Sequence, residues 1–85
     1  MTNKDLLLDM GYDDFIVLSN PDYDDAIIGI TTDNQVVYDY DKMIDYLVKI
    51  DNMEELEAAD FIDYNTMRAI PYAGEGAPII IYTLK

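Results

Sequence analysis

The sequence predicts a small α+β domain, with a sheet of three to four strands packed against two consecutive helices. Three patterns support this prediction. Alternating and β-branched residues over 26–40 are typical of a β-hairpin. Apolar residues recur at helical spacing over 41–50 and 53–66, and a β-branched run at 78–84 predicts a C-terminal strand. We expect residues 1–85 to form a single compact acidic domain, because the chain is too short for two.

The N-terminal part predicts one helix and one strand. Residues 4–10 place apolar side chains at helical spacing, and Gly11 is the predicted helix terminator. Residues 15–18 form a short apolar run between polar turn residues. Such a run is typical of a strand.

The hairpin prediction rests on two strands and the turn between them. Residues 26–31 and 35–40 are rich in β-branched and aromatic side chains. The intervening Thr-Asp-Asn tripeptide at 32–34 suits a tight turn, because Asp and Asn tolerate the left-handed backbone region.

The two predicted helices follow directly. Asp41 is the predicted N-cap of the helix at 41–50. Asn52 and Glu55 have the spacing of a capping box for the helix at 53–66. So short a connection predicts an antiparallel or angled helical hairpin. The Ile70-Pro71 pair is expected to end any helix, and the strand at 78–84 is expected to be buried and central.

Charge is the unusual property of this composition. The chain has eighteen Asp and Glu but only five Lys and Arg, which gives a formal net charge of −13. Eight Tyr, two Phe and many branched residues argue against a disordered acidic tail. An acidic surface repels nucleic acid and anionic membranes and attracts basic proteins. Solubility alone is the simpler explanation of the same charge.

The composition argues against most catalytic and metal sites. The chain has no Cys and no His, which removes thiolate nucleophiles, Ser-His-Asp triads and the commonest metal ligand. A calcium loop counted from Asp22 fails, because Ala26 and Ile27 occupy its fifth and sixth positions. We therefore expect a protein that is not an enzyme and uses no cofactor and no metal.

Targeting signals are not evident in the sequence. The N-terminal residues carry acids among the apolar side chains, unlike a signal peptide. The longest apolar run, at 78–82, is far too short for a membrane span. The predicted location is the cytoplasm, without membrane contact.

Acidic and tyrosine side chains form the candidate partner-binding surface. Tyr is favoured at protein interfaces, where it is large and amphipathic. Spaced acids can imitate a phosphate backbone and so occupy a basic groove made for nucleic acid. The residues predicted to contact such a partner are Asp22, Tyr23, Asp24, Asp25, Asp39 and Asp41.

Four segments, at 25–29, 37–43, 61–72 and 77–80, resemble a family of small acidic uncharacterised proteins of Firmicutes and their phages. The resemblance covers about residues 22–82. It implies a phage context and no particular chemistry. Small acidic phage proteins often block host nucleic-acid enzymes, CRISPR nucleases among them, so an anti-CRISPR-like role follows by analogy with that class.

Two functions remain open, beside a small hydrolase or metal-dependent enzyme, which the composition disfavours. The first is an inhibitory binding protein that covers a basic nucleic-acid-binding surface of a host protein, without binding nucleic acid itself. The second is an acidic protein-interaction module or homodimer that involves no mimicry of nucleic acid. Steep salt dependence of binding distinguishes the first from the second.

Overall fold

A computed structural model describes residues 2–19 and 21–84. The predicted α+β class is confirmed: a three-stranded mixed sheet packs with helices in a compact unit. The helices are α1 (Asn3–Asp9), α2 (Tyr40–Asp51), α3 (Glu55–Phe61) and the short α4 (Met67–Ala69). The strands are β1 (Ile27–Ile30), β2 (Val36–Asp39) and β3 (Ile79–Ile81).

The predicted hairpin is present as the antiparallel pair of β1 and β2. Its turn contains Asn34 at φ 63°, in the left-handed region that Asn tolerates. The Thr31 hydroxyl accepts the backbone N–H groups of Asp33 and Gln35, at 3.2 and 3.1 Å, and so stabilises the turn. A bulge at Ile28 interrupts the pairing register.

The C-terminal strand is shorter than predicted and lies elsewhere in the sheet. It comprises only Ile79–Ile81, and it pairs in parallel with β2 at an edge, in the order β1-β2-β3. The predicted central position is therefore wrong, and β2 occupies the centre. The β-branched run indicated the strand correctly, but hydrophobicity alone does not distinguish an edge from the middle of a sheet.

The strand predicted at 15–18 does not form. Its Phe15 and Leu18 pack against the core as an irregular segment. The backbone N–H of Leu18 donates to the Tyr38 hydroxyl at 2.9 Å. A side chain, and not a neighbouring strand, therefore satisfies this donor.

Helix α1 confirms the N-terminal helix prediction. Thr2 and Asp5 form a reciprocal capping box at its start. At its end, Gly11 adopts φ 96°, and the Tyr12 N–H reaches back to the Leu7 carbonyl at 3.1 Å. This pattern is a Schellman motif, in which glycine adopts the left-handed conformation without strain.

Both predicted caps of the helical hairpin need correction. Asp39, and not Asp41, caps α2: its Oδ1 accepts the Asp41 N–H at 3.0 Å, and the helix begins at Tyr40. Asn52 adopts φ 55° and ends α2, so it does not open the next helix. The N-cap of α3 is Glu54, and its side chain makes no capping hydrogen bond. The predicted capping box is thus wrong.

The chain continues in helical conformation beyond α3. A π-helical turn, Ile62–Thr66, leads into α4 and a 3-10 helix, Ile70–Ala73. Pro71 does not end the helical segment as predicted, because it lies in the first turn of the 3-10 helix, where its missing N–H costs no hydrogen bond. Gly74, at φ 79°, ends the segment instead.

The core lies between the sheet and the helical hairpin. Its largest fully buried side chains are Tyr23, Tyr38, Met43, Leu47, Ile62 and Val36. Within the described ranges, no helix has the length and apolar composition that a bilayer crossing requires.

Candidate functional site

Tyr23 is a core residue, and its predicted role as a surface contact is wrong. The side chain is fully buried, and its backbone has φ 49°. Its hydroxyl shares a hydrogen bond of 3.0 Å with Thr66 Oγ1, and its ring lies 5.7 Å from the Tyr46 ring. Burial raises the pKa of Tyr23. Acids on both sides of a tyrosine indicated exposure, but the local backbone turns the ring inward.

Asp39 is likewise not on the surface. Only 5% of it is exposed, because its carboxylate is used inside the fold. Besides capping α2, it accepts a hydrogen bond from the Thr83 hydroxyl at 3.1 Å. Asp39 therefore fixes the end of β2 to the start of α2 and to the segment after β3, and it is unavailable to a partner.

Asp24 is half-buried and holds the start of α1. Its Oδ2 accepts the Asn3 N–H at 2.8 Å, and its Oδ1 accepts the Lys4 N–H at 3.0 Å. The Asn3 amide returns a bond of 2.9 Å to the Asp24 carbonyl. The Thr2 hydroxyl accepts the N–H of Asp5, the third residue of the helix. The first three backbone N–H groups of α1 therefore all have acceptors.

Asp22 and Asp25 are exposed, as predicted, and belong to a group of acids around Tyr46. The Tyr46 hydroxyl donates to Asp22 Oδ1 at 3.3 Å. Burial raises the pKa of Tyr46, and the negative charges of Asp22, Asp25 and Asp51 raise it further. We call Asp22, Asp25 and Asp51 the end cluster, because Asp51 is the last residue of α2.

A second group of acids lies along α3 and the π-helical turn after it. Glu57, Asp60 and Asp63 line one shallow depression, together with Tyr64 and Arg68. The Arg68 guanidinium lies 4.4 Å from the centre of the Tyr64 ring. All three acids are exposed. We call Glu57, Asp60 and Asp63 the α3 row. Their spacing of three was visible in the sequence, but none of them was among the predicted contacts.

Tyr40 connects the α3 row to Tyr82, the residue after β3. Its hydroxyl donates to Asp63 Oδ1 at 3.0 Å, and its ring lies 5.0 Å from the ring of Tyr82. Burial, together with the bond to Asp63 and its charge, raises the pKa of Tyr40 to about 12. The tyrosine is therefore neutral at physiological pH and acts as a donor to the carboxylate.

Most of the acidic side chains are accessible to a partner. Of the eighteen, Asp39 is buried, Asp24 and Asp41 are half-buried, and the other fifteen are exposed. Among residues 2–19 and 21–84, no group of three acids is arranged to hold a metal ion. The exposed carboxylates can form ion pairs and charge-assisted hydrogen bonds with Lys and Arg of a partner.

Comparison of the chain with protein-family models, with curated proteins and with solved structures finds no match. Function must therefore be inferred from the chemistry of the surface itself.

Proposed function

We propose that this chain is an acidic inhibitory binding protein of phage type, active in the host cytoplasm. It occupies a basic nucleic-acid-binding surface of a host protein, with a CRISPR nuclease as one candidate target. It works by covering that surface and not by catalysis. The observation that carries the proposal is the exposure of fifteen of its eighteen acidic side chains.

The arrangement of these acids supports mimicry of a phosphate backbone. The end cluster lies where α2 ends, and Asp63, the last acid of the α3 row, lies beside the start of α2, because the Tyr40 hydroxyl donates a hydrogen bond to it. Asp63 is thus separated from the end cluster by about the length of α2, whose twelve residues span about 18 Å. One DNA strand carries a charge about every 3.4 Å, so this length corresponds to about five phosphates.

The proposed contacts combine predicted and newly found residues. Asp22, Asp25 and the half-buried Asp41 remain from the predicted set. Glu57 and Asp60 join them as exposed members of the α3 row. A basic groove that binds phosphates through Lys and Arg would pair with these carboxylates, and salt would weaken the complex.

Capture of the target from a bacterial lysate at two salt concentrations tests the proposal. Tagged protein should retain one dominant nucleic-acid-binding protein at low salt, and added DNA or RNA should displace it. The captured amount should fall steeply at physiological salt, because salt screens the attraction between the carboxylates and the Lys and Arg of the partner. A partner that resists salt and is not displaced by nucleic acid would contradict mimicry.

A pair of matched variants assigns the contact surface. Glu57→Gln with Asp60→Asn removes two negative charges from the α3 row, and Asp9→Asn with Asp13→Asn removes two from exposed positions in and after α1. The first variant should lose about tenfold or more in affinity, since close charge pairs across an interface are strongly coupled. The second should stay near wild type. Equal losses would show that total charge, and not this surface, controls binding.

An interaction module or homodimer without mimicry is the second candidate. Several large apolar side chains are exposed, among them Leu56 at 81% and Tyr72 at 91%. Such side chains favour contact with another protein surface. Light scattering across salt concentrations separates the candidates, because a dimer held by apolar contacts persists when charges are screened.

A further inference from the structure

The two faces of the sheet have different surroundings. Register places Ile27, Tyr38 and Ile80 on one face, where they pack in or against the core. Gly29 pairs with Val37, and Val37 with Ile79, so these three residues share the opposite face. Ile81 lies on that face as well, opposite Asp39, whose carboxylate is bound within the fold by the Asp41 N–H and the Thr83 hydroxyl. We call Gly29, Val37, Ile79 and Ile81 the open face.

Apart from the buried Asp39 beside it, the open face is apolar, and it lies outside the core. Val37, Ile79 and Ile81 are only half-buried, and the core cluster does not include them. A Cβ atom built on Gly29 would meet no atom within 4 Å, so the space above the centre of β1 is empty. The apolar surface continues toward α1 through Ile28, which is 40% exposed, and Met10, which is 68% exposed.

Addition of a partner strand at β1 is an unsuitable way to cover this surface. The Asn3 side-chain amide donates to the Ile27 carbonyl at 3.2 Å, so one backbone acceptor of β1 is already used. The bulge at Ile28 also breaks the regular register that a new strand would need. A helix fits better: three strands are about 10 Å wide, and a helix has a diameter of about 10 Å.

Charge defines the chemistry of that helix. At the turn end of the sheet, Asp14, Asp33 and Glu75 line one depression, and all three are exposed. An apolar surface with carboxylates at one end complements a helix that has an apolar stripe and Lys or Arg at one end. A second copy of this chain is a poor occupant, since each copy carries a net charge of −13.

We propose that the open face is a docking surface for an amphipathic helix of a basic partner. The apolar stripe of the helix packs on Val37, Ile79 and Ile81, and its basic end lies beside Asp33 and Glu75. The inference rests on the proposed function only in taking the partner to be basic. It adds a second, apolar contact to the acidic surface near α2 and α3.

Titration with a synthetic helix tests the docking surface. The probe is a Leu/Lys peptide of about 14 residues with one apolar stripe, about 21 Å long as a helix. The matched peptide has the same composition in scrambled order. The protein should bind the first peptide at least about tenfold more tightly, because only that peptide presents a continuous apolar side. Equal binding of both peptides would overturn the proposal.

Gly29→Glu separates apolar docking from general charge attraction. It adds a carboxylate where a side chain has space, and it should weaken peptide binding by about tenfold because that charge would be buried against the apolar stripe. Charge attraction alone predicts equal or tighter binding by this more acidic variant. The control is Ala69→Glu, which adds one carboxylate at an exposed position of α4 and should bind like wild type.

Amide shift mapping on the wild-type protein keeps the test independent of the folding of any variant. Peptide-induced shifts should centre on Gly29, Val37 and Ile79. Shifts centred on Glu57 and Asp60 would overturn the docking surface and leave the proposed inhibitory function intact. The wild-type protein could instead form a dimer at high salt that the Gly29→Glu substitution dissociates. That result would also overturn the proposal, because a second copy of the chain would then cover the open face. If the Gly29→Glu variant captures a host protein as well as wild type does, the open face is not part of that interface. The proposed mimicry would then hold without this docking contact.

Discussion

The Tyr40 hydroxyl donates to Asp63 Oδ1 at 3.0 Å and so joins the first residue of α2 to the π-helical turn after α3. The start of α2 is therefore beside the end of α3, which makes the two helices an antiparallel hairpin. The same hydrogen bond orients the carboxylate of Asp63, one acid of the α3 row. A neutral phenol held beside a carboxylate also makes this contact sensitive to alkaline pH.

Stability should fall as pH rises from about 10 to about 12. The folded-state pKa values of Tyr38 and Tyr40 are raised from 10.0 to about 12, by burial first of all. Over this range the unfolded chain loses these protons before the folded protein does, so unfolding becomes more favourable. Below pH 10 the contribution of both tyrosines is fully present. Denaturant unfolding followed by circular dichroism at several alkaline pH values measures the effect.

Tyr40→Phe is the control for that prediction. It removes one of the two titrating groups while keeping the ring against Tyr82. The loss of stability between pH 10 and 12 should become smaller in this variant. An unchanged pH profile would show that Tyr40 titrates normally in the folded protein.

Tyr23→Phe should destabilise the fold by about 1 to 3 kcal/mol, because it leaves the buried Thr66 hydroxyl without its partner. Adding Thr66→Val should restore part of the loss. Affinity for any captured partner should not change, since Tyr23 is fully buried. A folded Tyr23→Phe variant with reduced affinity would contradict the assignment of Tyr23 to the core.

Asp24→Ala should lower the free energy of unfolding by about 1 to 2 kcal/mol, because two N–H groups at the start of α1 lose their acceptor. The neighbouring Asp25→Ala is the matched control and should change it by less than about 0.5 kcal/mol. Urea unfolding measures both. Similar values for the two variants would contradict the capping role of Asp24.

Added salt should raise the melting temperature. The net charge of −13 on so small a surface opposes folding through mutual repulsion. The screening length falls from about 30 Å at 0.01 M salt to about 8 Å at 0.15 M, so most of the gain should occur in this range. The variant with Glu57→Gln and Asp60→Asn should respond less. A melting temperature independent of salt would mean that the acids are too far apart to repel one another.

Local sequence patterns were sufficient to predict much of the fold. The hairpin turn at Asn34 and the glycine end of α1 depend on residues adjacent in sequence, and both were predicted. The edge position of β3 was not, because it is set by pairing with β2, about forty residues away. The two helix caps were misplaced by two residues each, at Asp39 and Glu54, because several oxygen-bearing residues precede each helix.

The candidate surface was predicted less well, for a physical reason. Acid type and spacing do not show whether a carboxylate faces solvent or the protein. Asp24 bonds to the backbone of residues 20 and 21 positions away, and Asp39 bonds to Thr83, 44 positions away. Such contacts arise only when the chain is folded. Asp22 and Asp25 were predicted correctly to be exposed, and their environment includes Asp51 from a different element.

The division of the aspartates into capping and exposed groups determines how this sequence can drift over generations. A lineage can lose or move an exposed carboxylate outside the proposed contact surface, such as Asp13, because the neighbouring Asp14 supplies much the same charge. Positions 24 and 39 have no such freedom, since only a short side chain with an acceptor oxygen reaches the donors of α1 and α2. Distant descendants could therefore differ in most of their surface acids and share these two positions.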